Sequence, residues 1–148
     1  MQFSAIFYTL AAFAAVAVAV PTTSETGTFS AIISDAEMAH WLANTDAELT
    51  FIGEPFNPLL KRSAQTTTVT YCTKRVGPIC GGSCSVYQGG ATCLATPGTV
   101  CIAATNDIGF CDAAGCNGDC SDLASCGTGL NGGFCYTPGT ASILVSTA

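Results

Sequence analysis

All ten cysteines of this 148-residue chain fall within 64 residues, at Cys72, Cys80, Cys84, Cys93, Cys101, Cys111, Cys116, Cys120, Cys126 and Cys135. None precedes them. An even number at this density, behind an apolar leader, reads as a framework of five disulfides and so as a small fold held by covalent bridges. The spacing leaves the connectivity open, since ten cysteines allow hundreds of pairings. Zinc is the rival use of so many thiols. Its sites favour C-x2-C pairs or cysteine with histidine, and this stretch contains neither, so no metal and no cofactor is expected.

The chain divides by composition into three parts. Residues 2–19 are an apolar run ending in Ala17-Val18-Ala19, with the small residues that signal peptidase requires; a cut after Ala19 is expected. The run is at the lower edge of spanning length and no charged stop-transfer pattern follows, which favours a removable signal (1–19) over an anchor. A secreted, extracellular product without a membrane span follows. Residues 20–62 are cysteine-free and carry Glu25, Asp35, Glu37, Asp46, Glu48 and Glu54 against only Lys61 and Arg62. Within them, 28–33 and 49–52 read as strands, and Ala36 to Ala43 as a short helix capped by Ser34 or Asp35, with Met38, Trp41 and Leu42 on one side. The dibasic pair Lys61-Arg62 stands between two compositionally different regions and suits a kexin-type protease. On this reading 20–62 is an acidic pro-segment that assists folding or keeps the product inert, and 63–148 is the working domain. Lys74-Arg75 lies among the cysteines, where bridges should shield it from cleavage.

The working domain is slightly acidic, with Lys74 and Arg75 against Asp107, Asp112, Asp119 and Asp122. No basic patch exists, which argues against nucleic acid as a partner. Residues 66–72, 85–87, 100–104, 108–111 and 142–145 read as strands, with a turn at Gly77-Pro78 and a glycine-containing loop or bulge at Cys80–Cys84. Thr96-Pro97-Gly98-Thr99 and Thr137-Pro138-Gly139-Thr140 carry the Pro-Gly signature of type II turns, each expected to close a hairpin. Residues 117–126 read as the best short helix of this part, capped by Asp119 and closed by Gly127. The sum is an α+β fold: a small disulfide-rich domain with one short helix and an antiparallel sheet.

Catalysis finds little material after Ser63, where the chain has no His and no Glu; Ser–His and Cys–His arrangements are ruled out there. Asp119 and Asp122 would share a helical side, as paired glycosidase carboxylates must, but helix capping accounts for both. Binding fits better. Neutral amides and hydroxyls interleave with tyrosines, and sugars need flat apolar faces together with hydrogen-bonding groups. Tyr87, Asn106, Asp107, Asn131 and Tyr136, tyrosine tips and exposed turns, are the candidate glycan-binding residues.

The residues from Cys80-Gly81-Gly82-Ser83-Cys84 through Gly89-Gly90-Ala91-Thr92-Cys93 and Thr96-Pro97-Gly98-Thr99, with Gly109-Phe110-Cys111-Asp112 and Gly133-Phe134-Cys135 before the second Thr-Pro-Gly-Thr, resemble the small cysteine-rich glycan-binding proteins of mushroom-forming fungi. The resemblance spans about Cys72 to Val145. It implies a secreted, non-catalytic lectin of defensive use, with glycans or glycoproteins as partners and a homodimer joined through a sheet edge. The competing reading is a small secreted toxin or effector, matured at Lys61-Arg62 and acting on a membrane or protein target. Either way the cysteines should be fully oxidised. Thiol titration of the denatured, unreduced protein should find no free sulfhydryl; ten would remove the framework.

Overall fold

The computed structural model of the chain describes residues 31–55 and 66–146. Ala19, Lys61 and Arg62, with the signal and the expected cleavage, lie outside the described residues, as do the first residues of the strand expected at 28–33. Helix α1 (Asp35–Asn44) is followed by β1 (Glu48–Gly53), β2 (Thr67–Val76), β3 (Ile79–Gly89), β4 (Thr92–Ala104), β5 (Gly109–Ala113), β6 (Asn117–Asp122) and β7 (Cys135–Val145). Single 3-10 turns occupy Leu123–Ser125 and Asn131–Gly133. The strands form one sheet in the order β1-β3-β2-β4-β7-β5-β6. β1 runs parallel to β3, and the other strand pairings are antiparallel. The expected small disulfide-rich domain with one helix is present. It is mostly sheet, so "α+β" fits only loosely, and the sheet is mixed rather than wholly antiparallel. No helix among the described residues is long and apolar enough to cross a membrane.

Every cysteine is bridged: Cys72–Cys84, Cys80–Cys101, Cys93–Cys116, Cys111–Cys120 and Cys126–Cys135. Two of these join residues directly opposite on neighbouring strands, Cys72 with Cys84 and Cys111 with Cys120, with Cα atoms 4.1 and 4.0 Å apart. Such closeness belongs to the non-hydrogen-bonded position of an antiparallel pair. Closing a loop of about 15 residues by a disulfide stabilises a fold by roughly 3 kcal/mol on the chain-entropy account, and the loops here separate their cysteines by 9 to 23 positions.

Two local expectations are corrected and a third is borne out. The helix expected over 117–126 is strand β6 followed by a 3-10 turn. Cys116 and Gly118 adopt φ of 56° and 80°, outside the helical region, and the Asp112 carboxylate accepts the Asp119 N–H at 2.9 Å, fastening this stretch to β5 as a hairpin. The bulge expected at Cys80–Cys84 is present, but inside strand β3 rather than as a loop: between the pairs Cys72–Cys84 and Lys74–Gly81 one residue of β2 faces two of β3, Gly82 and Ser83, and Gly82 takes a φ of 81°. The two Thr-Pro-Gly-Thr stretches close no hairpins. Gly98 and Gly139 do take the positive φ that the type II signature demands, 79° and 80°. Each turn is instead absorbed inside a long strand, and the two face each other across β4 and β7, where Thr99 pairs with Thr140 and the register shifts on either side. A turn in one strand is matched by a turn in its neighbour, so the ladder bends without ending.

Alternation along the strands gives the sheet two apolar faces. One gathers Val69, Tyr71, Ile102, Ala104, Ile108, Leu123, Ile143 and Val145. The other holds Cys72, Cys80, Cys84, Cys101 and Ala103, with Leu130 and Phe134, and it is covered by Ile33, Met38, Trp41 and Leu42 from upstream. Helix α1 begins with the capping box its sequence implies. The Glu37 N–H donates to Ser34 Oγ at 3.1 Å, and the Ser34 N–H donates to Glu37 Oε2 at 2.8 Å. Met38 is fully buried, and the Thr70 hydroxyl donates to its sulfur at 3.2 Å. The cysteine-free segment is thus built into the sheet at both ends: Ile32 bridges Ala104 of β4, and β1 lines the outer edge of β3. In packing, no boundary separates residues 31–55 from the cysteine-rich part. Met38→Ala should accordingly cost about 2–5 kcal/mol, the range for emptying a buried methionine site. Chemical denaturation measures it; a change within about 0.5 kcal/mol, as at an exposed surface position, would contradict this packing.

Candidate functional site

Where α1 crosses the disulfide-bearing face, it leaves an open cleft of about 870 Å³ between itself and the tip of the β2–β3 hairpin. One wall is α1 and the turn after it, with Glu37, His40, Trp41, Asn44 and Asp46. The other is Lys74, Val76, Ile79 and Gly81-Gly82 from the hairpin, closed by Gly132-Gly133. Trp41 is half-buried and leans on Phe134, their ring centroids 4.7 Å apart and their planes at 53°. Tilted contacts of this kind are favoured by the aromatic quadrupole.

Gly132 and Gly133 are glycines for two reasons here. Both have positive φ, 74° and 79°. A Cβ on Gly132 would come within 2.8 Å of Trp41 Cδ1, and one on Gly133 would collide with Ile33 Cγ2. The β2–β3 tip leaves Val76 and Ile79 largely exposed, 75% and 60%, at the mouth of the cleft. The polar groups there are few and mixed in sign: Lys74 faces a helix bearing Glu37 and His40. The Asn44 amide donates to the His40 carbonyl at 2.7 Å and lies 3.4 Å from His40 Nδ1. The hydrogen bonds from the Ser34 backbone and hydroxyl groups hold the Glu37 carboxyl below its ordinary value, outweighing a small opposing effect of burial.

The five residues singled out from the sequence occupy three separate places, and none lines this cleft. Tyr87, on β3, donates its hydroxyl to the Gly90 carbonyl at 2.8 Å; burial and then the nearby Glu54 charge push its pKa up. Asn106 and Asp107 sit together after β4 and serve the fold: the Asn106 amide donates to Thr67 Oγ1 at 2.9 Å, and Asp107 Oδ1 accepts the Ala124 N–H at 2.9 Å. Asn131 and Tyr136 both meet the β2–β3 hairpin. The Asn131 N–H donates to the Pro78 carbonyl at 2.8 Å, and the Arg75 guanidinium covers one face of the Tyr136 ring at 4.3 Å. Asp119 and Asp122, weighed as a carboxylate pair, are both exposed on β6.

Sequence reasoning passed over Trp41, His40, Asn44 and Lys74. The helix carrying the first three was legible, but its assignment to a removable segment took it out of consideration. Cys72, Cys80 and Cys101 bring their sulfurs together, yet each is oxidised in a bridge and has no thiolate to offer a metal. No protein-family model matches the chain, and no curated protein or solved structure matches it either.

The Glu37 cap gives the cleft wall a pH dependence. A carboxyl with a depressed folded pKa contributes stability above its unfolded pKa, and that contribution is lost as pH falls through the folded value. Acidification below the ordinary carboxylate range, about pH 4, should therefore loosen the start of α1 and alter Trp41 fluorescence. Glu37→Gln, which keeps the capping geometry, should flatten that response in a fluorescence titration.

Proposed function

We propose that the chain is a secreted, disulfide-stabilised carbohydrate-binding protein that holds its ligand in the α1 cleft and does not transform it. The observation that carries this reading is the placement of the only tryptophan. Trp41 stands in an open cleft among an amide, a carboxylate and a cation, those of Asn44, Asp46 and Lys74. A pyranose ring offers flat C–H faces that stack on an aromatic ring and hydroxyls that pair with such groups. The volume lies within the roughly 300–1,000 Å³ of small-ligand sites. The oxidised cysteine framework supports an extracellular location, and the resemblance to fungal glycan-binding proteins points the same way, towards a defensive lectin.

Two features favour binding over catalysis. A histidine that activates a side-chain nucleophile needs a hydroxyl or thiol partner, and the His40 ring meets the Asn44 amide instead. A glycosidase pair needs one carboxyl raised in pKa to act as acid; Glu37, one of two carboxylates in the cleft, is shifted the other way and engaged in the helix cap.

The second reading, a toxin or effector acting on a membrane or protein, draws on Val76 and Ile79 at the hairpin tip, two large apolar side chains exposed side by side. A glycan array on the secreted protein separates the two. Binding to defined glycans, with a change in Trp41 emission on titration, is the expected result. Lys74→Ala and Asp46→Ala should each weaken binding about fivefold, the loss of one net hydrogen bond, while Tyr87→Ala and Tyr136→Ala should not. Absence of any glycan binding alongside vesicle leakage or cell killing would replace the lectin reading with the toxin.

A further inference from the structure

We infer that the cysteine-rich part of this chain carries a preformed seat for residues 31–55, so that a cut in the connecting residues leaves a two-chain protein, with the cysteine-free peptide held in place and the cleft intact. The inference concerns the two parts of the chain and stands whatever ligand the cleft takes.

The covalent facts come first. All ten cysteines lie between Cys72 and Cys135, and all are paired with one another. No disulfide reaches residues 31–55, whose sole covalent tie to the rest runs through 56–65. Whatever else holds them is noncovalent, and it is extensive. At one end the Ile33 N–H donates to the Ala104 carbonyl at 2.8 Å, and the Ala104 N–H donates to the Ala31 carbonyl at 3.2 Å. At the other, six consecutive residues pair β1 with β3, from Glu48 with Ser83 to Gly53 with Gln88, and the Glu54 N–H closes the ladder on the Gln88 carbonyl at 2.8 Å. The peptide thereby adds a strand at the β3 edge of the sheet, a mode by which extended peptides are bound to sheets generally, and makes a single bridge to the end of β4.

Between these strands the side chains fit a surface shaped to them. Ala31 and Met38 are fully buried and Ile33 nearly so. Met38 accepts from the Thr70 hydroxyl, and Trp41 leans on Phe134. Gly132 and Gly133 lack the Cβ atoms that would strike Trp41 and Ile33. The floor of the seat, Cys72, Cys80, Cys84 and Cys101, is fixed by two disulfides that do not depend on the peptide. A rigid receptor face, a strand edge and buried anchors are the features of a peptide-binding site with low ordering cost on one side.

The test uses the full secreted chain with a specific protease site introduced within residues 56–65. After complete cutting, the two fragments should co-elute in gel filtration at micromolar concentration and separate only in denaturant. Trp41, the only tryptophan, should keep its emission maximum through the cut. Elution of the cysteine-rich fragment alone, with Trp41 emission shifted to the red, would overturn the inference. Met38→Asp should convert the first outcome into the second; retention of the peptide despite it would show that the seat described here is not what holds the segment. If that variant fails to fold, Met38→Ala in the cut protein should raise the peptide's dissociation constant at least about tenfold, and an unchanged constant would count against the seat in the same way.

Discussion

A single row of residues across the middle of the sheet, Cys84 on β3, Cys72 on β2 and Cys101 on β4, fixes most of what surrounds it. Cys72 faces Cys84 on one side and Cys101 on the other. The bridges Cys72–Cys84 and Cys80–Cys101 then tie β3 to its neighbour β2 and, across β2, to β4. A slip of one residue in either pairing would turn every side chain to the opposite face, and these bridges forbid it. The alternation that sends Val69, Tyr71 and Ile102 to one core and Cys72, Cys101 and Ala103 to the other is thereby locked. A domain of this size has too little buried surface to define such a register comfortably by packing alone.

The same row is also the floor on which α1 rests, and this creates two kinds of wall. The sheet is held by covalent constraint acting mainly on the unfolded chain. The segment 31–55 is held by burial, strand pairing and one helix cap, all of which weaken with denaturant or acid. Local opening should therefore begin at the segment and leave the stapled sheet standing. The cleft lies along the seam between the two walls, with Trp41, His40 and Asp46 on the yielding side and Lys74, Val76 and Ile79 on the fixed one.

What the sequence disclosed follows from which interactions are local. The helix was legible as Ala36 to Ala43, within the observed Asp35–Asn44, because Ser34 offered a cap and Met38, Trp41 and Leu42 fell on one side, and β1 and β2 because short β-branched and apolar runs stop at turn residues. Five bridges followed from the count of cysteines, though not their partners, which depend on strands distant in the chain. The Thr-Pro-Gly-Thr stretches show the limit most clearly. Their backbone angles were local and came out as the signature implies, but their role depended on the neighbour each strand found. β4 and β7 bend together because two like turns lie side by side. The stretch 117–126 failed for a related reason: helix-capping residues were present, yet the Cys111–Cys120 bridge and the Asp112 carboxylate drew them into a hairpin. For the site, residue type pointed to tyrosines and turn amides, several of which the fold uses for its own hydrogen bonds. Trp41 was visible but was set aside with the segment that carries it.

That placement changes the chemistry available to the protein. Residues 63–148 alone contain no His, no Glu and no Trp. With residues 31–55 in place, the cleft acquires an indole, an imidazole and carboxylates, set against a lysine on the other wall. A ligand touching both walls binds only the seated state, so its binding and the seating of the segment reinforce one another by mass action. At one hundred times its dissociation constant such a ligand adds about 2.7 kcal/mol to the seated form. An increment of that size is comparable to the burial of one large apolar side chain. The ligand would therefore hold the segment about as firmly as Met38 does, and a protein whose site lies on such a seam is most ordered when the site is full.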